Sequence, residues 1–478
     1  MSEAVPPEAA SETPARLEHM PGDLTEGPVT RTLLMFALPT LGSNVLQSLN
    51  GSISAVYVGK FLGENAFAAT GIATMVMFLI FSGTFGLSMA ATIMIGQAMG
   101  RRDFDEVRRV NGATTGAFIV ISLAIALLGG LLAPPLLHLL STPAEAFDYA
   151  VEFLHVVFIG IPLVFVSMLL QSALRGVGDA VTPLWTTVLN LVFSVLLNPL
   201  FILGWGPIPA MGLAGAAWAG VVTNGLCLIF LVLRTYMLDS PLCLRGSQWR
   251  LLRPDWGRLK PVLAMGVPMS LSMVIMSISS VIMMGLINRE GVDTVAGYNA
   301  ANQLWNYIQM PAFAVSSAVS AMAAQNIGAG RWDRISAIAR TGLLVNLAMT
   351  GLLVLASLPT DHFLLSLFLP ATSPALDIGE HINLMIGWTF IPMTVSMVLT
   401  SIVRANGAVV APFVILFVSV ILVRLTLGFG LYDWLGAEAI WFAFMASSSS
   451  SALMAAAYYL KGGWRKPRAM AGRRAALG

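Results

Sequence analysis

The amino-acid sequence points to an all-α integral membrane protein: twelve transmembrane helices in two six-helix bundles, a parallel repeat related by a pseudo-two-fold axis along the membrane normal. Three features carry that expectation. Of the 478 residues, 57% are hydrophobic and only 10% charged, and the mean hydropathy is +0.80; a water-soluble domain carries roughly 25% charged residues. The apolar residues gather in runs of about 20, the length a helix needs to cross the hydrocarbon, with none of the strict alternation of barrel strands. Finally, the chain repeats its own motifs, in order and at a nearly constant offset, in its second half.

Taken from the start, residues 1–30 hold six acids and five prolines with little apolar content, which reads as a disordered tail. It lacks the basic start and apolar segment of a signal peptide. Six spans follow at 32–58, 66–99, 111–133, 150–174, 181–203 and 211–233, giving a first bundle over 31–233. A basic linker at 234–260 leads to six more, at 261–287, 294–324, 336–358, 379–403, 409–431 and 437–460, a second bundle over 261–460. A basic tail closes the chain at 461–478.

Of the 26 Lys and Arg, 23 fall in the tails and in the loops on one side. The other side holds Lys60 and Arg289, and Arg424 lies inside a span. The positive-inside rule puts the basic side, and both termini, in the cytoplasm. Arginine far outnumbers lysine, which suits a GC-rich bacterial genome and hence a bacterial inner membrane.

The repeat is a series of matched pairs. "FALPT" at 36–40 answers "MGVPM" at 265–269, aligning Pro39 with Pro268; the same offset pairs Arg175 with Arg404 and Pro183 with Pro412. "GQAMG" at 96–100 answers "AQNIG" at 324–328, one position short of that offset. Each copy contains an even number of spans, so both stand the same way up. Two such bundles enclose a cleft, and rocking one against the other gives alternating access.

"QSALRGVGDAVTP" at 171–183, "TSIVRANGAVVAP" at 400–412, the "GQAMGRRD" loop and "GLAGAAW" at 212–218 together resemble the multidrug and toxic compound extrusion (MATE) family, over about residues 30–460. The resemblance implies a secondary antiporter that exports amphipathic, often cationic compounds in exchange for Na+ or H+. It implies no cofactor beyond the coupling ion. Its partners would be the lipid bilayer and a small-molecule substrate, with no nucleic acid, and the working unit a monomer. The alternative is a flippase for lipid-linked saccharides, which would need several cations along the cleft; only Arg424 is plainly available. An enzyme is not expected. Cys227 and Cys243 suggest neither a disulfide framework nor a metal site, and His19, His138, His155, His362 and His381 form no HExxH motif.

One departure from the family matters. Members often carry an aspartate in the first span just before a sequence like "TIFVG"; matched to "SAVYVG" at 54–59, this chain has Ser54 there, and it has Asn198 where members often carry an aspartate before a proline in span five. No Asp or Glu lies in the middle of any span. What remains is neutral: Gln47, Asn50 and Ser54 share one helical face, and Asn190, Ser194 and Asn198 another. Their oxygens suit a sodium ion or a polar substrate, although the plainer reading is helix-to-helix hydrogen bonding.

Asn302, Gln303 and Asn306 in span eight, beside Trp305, suit a drug-binding wall, or simply packing near the interface. Arg424 costs ~2.5–3.5 kcal/mol to place in a span and should therefore face the cleft or a partner. Glu152, His155, Glu380, His381 and Glu438 gather at outer helix ends. They either complement helix dipoles or, as imidazole beside carboxylate, handle protons near neutral pH.

Overall fold

The computed structural model describes residues 22–139, 144–204, 209–370 and 372–465; the parts of the two tails expected at 1–21 and 466–478 lie outside them. Regular structure among the described residues is helical. The first half contains α1 (Val29–Gly100), α2 (Phe104–Leu139), α3 (Ala144–Gly176), α4 (Val181–Leu203) and α5 (Gly212–Met237). The second contains α6 (Trp256–Ile287), α7 (Val292–Gly328), α8 (Trp332–Ser366), α9 (Pro374–Gly387), α10 (Phe390–Ala405), α11 (Val410–Phe417), α12 (Arg424–Gly430), α13 (Tyr432–Leu435) and α14 (Glu438–Lys461). Asp255 caps α6 by accepting from the Gly257 N–H. Its hydrogen bond with Arg258 holds its carboxyl below the usual carboxylate range.

Among the described residues nine helices are long and apolar enough to cross a membrane, or ten if the bent pair α9–α10, angled by 41°, is one span. The two further spans expected from sequence are accounted for by α1 and α7. Spans one and two, expected as separate helices, are joined: α1 is helical through all 72 residues. A straight helix of that length would reach ~108 Å, more than three times the hydrocarbon thickness. The segment just before α1 and the last residue of α1 nevertheless both lie against Gln325. The Leu24 N–H bonds the Gln325 side chain at 2.9 Å, and a Cβ on Gly100 would meet Gln325 O. The chain therefore doubles back within α1. α7 is polar for a spanning helix, but 21 of its 37 residues are buried in protein, so lipid does not set its composition.

The repeat in the sequence becomes a symmetric contact between the halves. Gln97 and Gln325 are repeat mates, and so are Gly100 and Gly328. Gln97 Nε2 donates to Ala405 O at 2.6 Å, and Gln325 Nε2 donates to Gly176 O at 3.0 Å. Ala405 and Gly176 are mates as well, at the ends of α10 and α3. A Cβ on Gly100 would lie 1.9 Å from Gln325 O, and one on Gly328 would lie 2.1 Å from Gln97 O. Glycine is required at both positions because two helix backbones touch there.

This contact lies at the arginine-rich end, beside Arg102, Arg331 and Arg334. There one apolar core joins the halves, with Met94 and Ala98 of α1 packed with Met265 of α6 and Ala321 of α7. Towards the opposite end the core divides. One cluster, around Phe118, Leu154 and Leu213, belongs to the first half alone. The other, around Met283, Trp305 and Trp441, belongs to the second. The halves are joined at one end and separate at the other.

Residues 22–28, part of the expected disordered tail, are built into this junction. Leu24 is 5% exposed within the shared core. Asn326 Nδ2 donates to Leu24 O (3.1 Å), Arg331 to Thr25 O (3.3 Å) and Arg334 to Gly27 O (3.0 Å), while Arg102 pairs with Asp23 and Glu26, both at 3.7 Å. Gln325 Nε2 also reaches Gly22 O at 3.3 Å. The segment straps the second half to the loop after α3, where Gly22 and Gly178 meet backbone to backbone.

Candidate substrate cleft

In the first half, the helical spacing that aligned two polar faces also brings those faces together. Asn50 Nδ2 donates to Asn190 Oδ1 at 2.9 Å, joining α1 to α4. Asn50 Oδ1 is buried without a protein partner. Asn198, 5% exposed, turns its amide back on its own helix, donating to Ser194 O at 2.8 Å and to Ser194 Oγ at 2.9 Å. Gln47 is exposed and Ser54 half-buried on the Asn50 helix. The Tyr57 hydroxyl donates to Val195 O at 3.4 Å, a further tie between the same helices.

In the second half, Asn302, Gln303 and Asn306 are all exposed along α7. Trp305, expected beside them, is turned inward instead, 3% exposed, and donates Nε1–H to Asn383 Oδ1 at 3.0 Å. Its indole meets Tyr298 edge-on at 5.7 Å, and Tyr298 stacks on Trp441 at 6.1 Å. Asn383 and Trp441 stand on α9 and α14, beyond the reach of local spacing in the sequence.

Arg424 is half-buried between α12 and α14. Its Nε donates to Ser447 Oγ at 3.0 Å, and its guanidinium carbon lies 4.4 Å from the centre of the Phe444 ring. The residues just before it, Val418–Val423, form a π-helical turn. Such a turn closes wider hydrogen-bonded rings than an α-helix and changes the direction of the side chains beyond it. Ser279 of α6 donates to Val420 O in this turn at 3.3 Å.

Of the five proton-handling candidates, three are paired. His381 Nε2 meets Glu438 Oε1 at 2.6 Å, and Glu380 Oε1 meets His362 Nδ1 at 2.5 Å. His362 is a partner that sequence reading missed, because it approaches Glu380 across the turn between α8 and α9. Glu152 and His155 are both exposed, but they do not pair; the His155 ring donates to Gly130 O at 2.9 Å. Both pairs lie near the end of α8 and the starts of α9 and α14, away from the arginine-rich junction.

The model of the family described as MatE matches the chain twice, over residues 39–200 and 268–429. The chain belongs to the MATE family. Among curated relatives, this MATE transporter is 31% identical to the probable multidrug resistance protein YoeA of Bacillus subtilis (strain 168), over 90% of this chain and 93% of that one. It is 28% identical to YpnP of the same organism, also described as a probable multidrug resistance protein, over 93% and 97%. Its fold resembles that of the Vibrio cholerae MATE transporter VcmN in the bent form, with a TM-score of 0.83 at 19% identity, covering 92% of this chain and 98% of that one.

The two family matches start at Pro39 and Pro268 and are equally long, so positions in the two MATE halves can be paired. Asn50 and Asn190 then correspond to Ser279 and Ser419, Ser54 to Met283, Ser194 to Val423, and Asn198 to Leu427. Three of these five positions are polar in the first half and apolar in the second. Arg424 stands where the first half has Val195. The architecture is duplicated, and the chemistry of its inner faces is not.

Proposed function

We propose that this transporter exports amphipathic small molecules from a bacterial cell across the inner membrane by rocking its two bundles, driven by inward flow of Na+ or H+. The observation that carries this reading is the divided core: sealed by a symmetric contact at the arginine-rich end and split at the other. With the arginine-rich end in the cytoplasm, by the positive-inside rule, this arrangement is the outward-open state of an exporter. The likeness to the two Bacillus subtilis multidrug resistance proteins supports export of drug-like compounds.

One charge moving inward through 100 mV supplies ~2.3 kcal/mol. At ~1.4 kcal/mol per decade that sustains a roughly fifty-fold substrate gradient, provided the cycle moves net charge. Neutral oxygens at Asn50, Asn190, Ser194 and Asn198 suit Na+, while the His381–Glu438 and His362–Glu380 pairs suit H+. Dye efflux from proteoliposomes under an imposed Na+ gradient, and separately under an imposed pH gradient, distinguishes them. Efflux should follow one gradient; a dye gradient that answers to neither overturns antiport.

A second expectation concerns the first-half pair. Asn190→Ala leaves the Asn50 amide without its acceptor, at a cost of about 1–3 kcal/mol for an unpaired buried group. Asn198→Ala cuts bonds within one helix only, and polar ties in membrane proteins average ~0.6 kcal/mol. The melting temperature in detergent should therefore fall further for Asn190→Ala. Equal shifts would remove the cross-helix pair from the account.

A further inference from the structure

Arg424 lies well inside the span Val410–Gly430, on the far side of the π turn from its start. Among the described residues it makes no ion pair. Its protein contacts engage Nε, through one neutral hydroxyl, and the ring face of Phe444. The two Nη groups, with four N–H bonds between them, have no protein hydrogen bond among the described residues. A guanidinium in this setting carries most of its desolvation cost uncompensated.

The fold does not demand a cation here. The equivalent position in the first half is Val195, in an α-helix with no π turn. The second half departs from its copy twice at one place, once in side-chain charge and once in the backbone turn that aims it. Aromatic surface flanks the guanidinium. Phe444 lies beneath it, and half-buried Tyr298 stacks on Trp441, which stands one turn before Phe444 on α14. A planar fork of free N–H donors matches the two oxygens of a carboxylate or phosphate. With no acid in the middle of a described span, a cationic compound at the depth of Arg424 finds repulsion and no carboxylate on the spans beside it.

We infer that Arg424 is the docking point for an oxyanion, so that the compounds this transporter takes are amphipathic organic anions, with the anionic group in the guanidinium fork and the apolar body beside Phe444 and Tyr298. The inference rests on the exporter reading and names its substrate class. The same oxyanion chemistry occurs in a free aromatic carboxylate and in a lipid phosphate headgroup, and separate arms of the test tell these apart.

The test uses the purified full chain in proteoliposomes with three probes: a fluorescent aromatic carboxylate, the same fluorophore carrying a quaternary ammonium, and a fluorophore-labelled phosphatidylglycerol. Binding is read by quenching of tryptophan fluorescence, and export by dye efflux. Wild type should bind the carboxylate at least about tenfold more tightly than the ammonium, the size of a charge-assisted hydrogen bond. Arg424→Gln should erase that preference, and Arg424→Lys, which keeps the charge and loses the fork, should restore part of it. Translocation of the labelled lipid in place of the free carboxylate would identify a headgroup as the source of the oxyanion. Equal loss for both soluble probes in Arg424→Gln, or an unchanged carboxylate affinity, overturns the inference. Export of the ammonium probe alone overturns it too while leaving the exporter reading intact; failure to export any of the three removes the exporter reading itself.

Discussion

With Gly100 replaced by alanine, export should fall to background while the protein still inserts and folds. The reason is steric and local. The new Cβ would lie 1.9 Å from Gln325 O and 2.7 Å from the carbon that bears it. These are backbone atoms of a helix, so no side chain can swing aside, and α1 and α7 must separate at the point where the halves are sealed. Gly328→Ala makes the same clash with Gln97 O at 2.1 Å and should have the same effect.

Gly351→Ala provides the control, because a Cβ on this α8 glycine meets nothing within 4 Å. It should transport normally and gain up to about 1 kcal/mol from the better helix former. Spin labels at the exposed Asp105 and Asp333, one in each half, report the seal directly. Their separation should lengthen in Gly100→Ala and stay unchanged in Gly351→Ala. Full export from Gly100→Ala with an unchanged separation would mean that this contact is not the gate.

The sequence carried the repeat and the polar faces well, because both are periodic. Asn50 and Asn190 could be set on facing stripes by helical spacing alone, and they meet. The "GQAMG" and "AQNIG" motifs were visible too, but why their glycines must be glycines was not. The constraint at Gly100 is a backbone oxygen in the other half of the chain, and only packing supplies it. Trp305 fails for a related reason: its neighbours in the chain are amides, and its tertiary partners Asn383 and Tyr298 turned it inward. Residues 22–28 defeated composition, which averages over acids and prolines. One leucine in a core and a row of backbone hydrogen bonds outweigh that average. The join of spans one and two within α1 was equally invisible, since apolar runs report crossings and say little about how the chain turns between them.

The strap makes a formally symmetric pair of glutamines unequal in what holds them. Gln97 spans the halves through a single bond, to Ala405 O. Gln325 makes the equivalent bond to Gly176 O, and in addition accepts from the Leu24 N–H and donates to Gly22 O. At about 0.5–1.5 kcal/mol net for each bond, Gln325→Ala should shift the balance between sealed and open forms roughly fivefold to a hundredfold further than Gln97→Ala. The distribution of label separations between Asp105 and Asp333 measures both. Removing residues 1–27 should abolish the difference. Without the strap, each glutamine keeps one bond to the opposite half, and the two substitutions become equivalent by the internal two-fold. Residues that share a partner give non-additive effects, so Gln325→Ala and strap removal together should open the seal by less than the sum of their separate effects. If Gln325→Ala still exceeds Gln97→Ala in the shortened chain, the excess does not come from the strap.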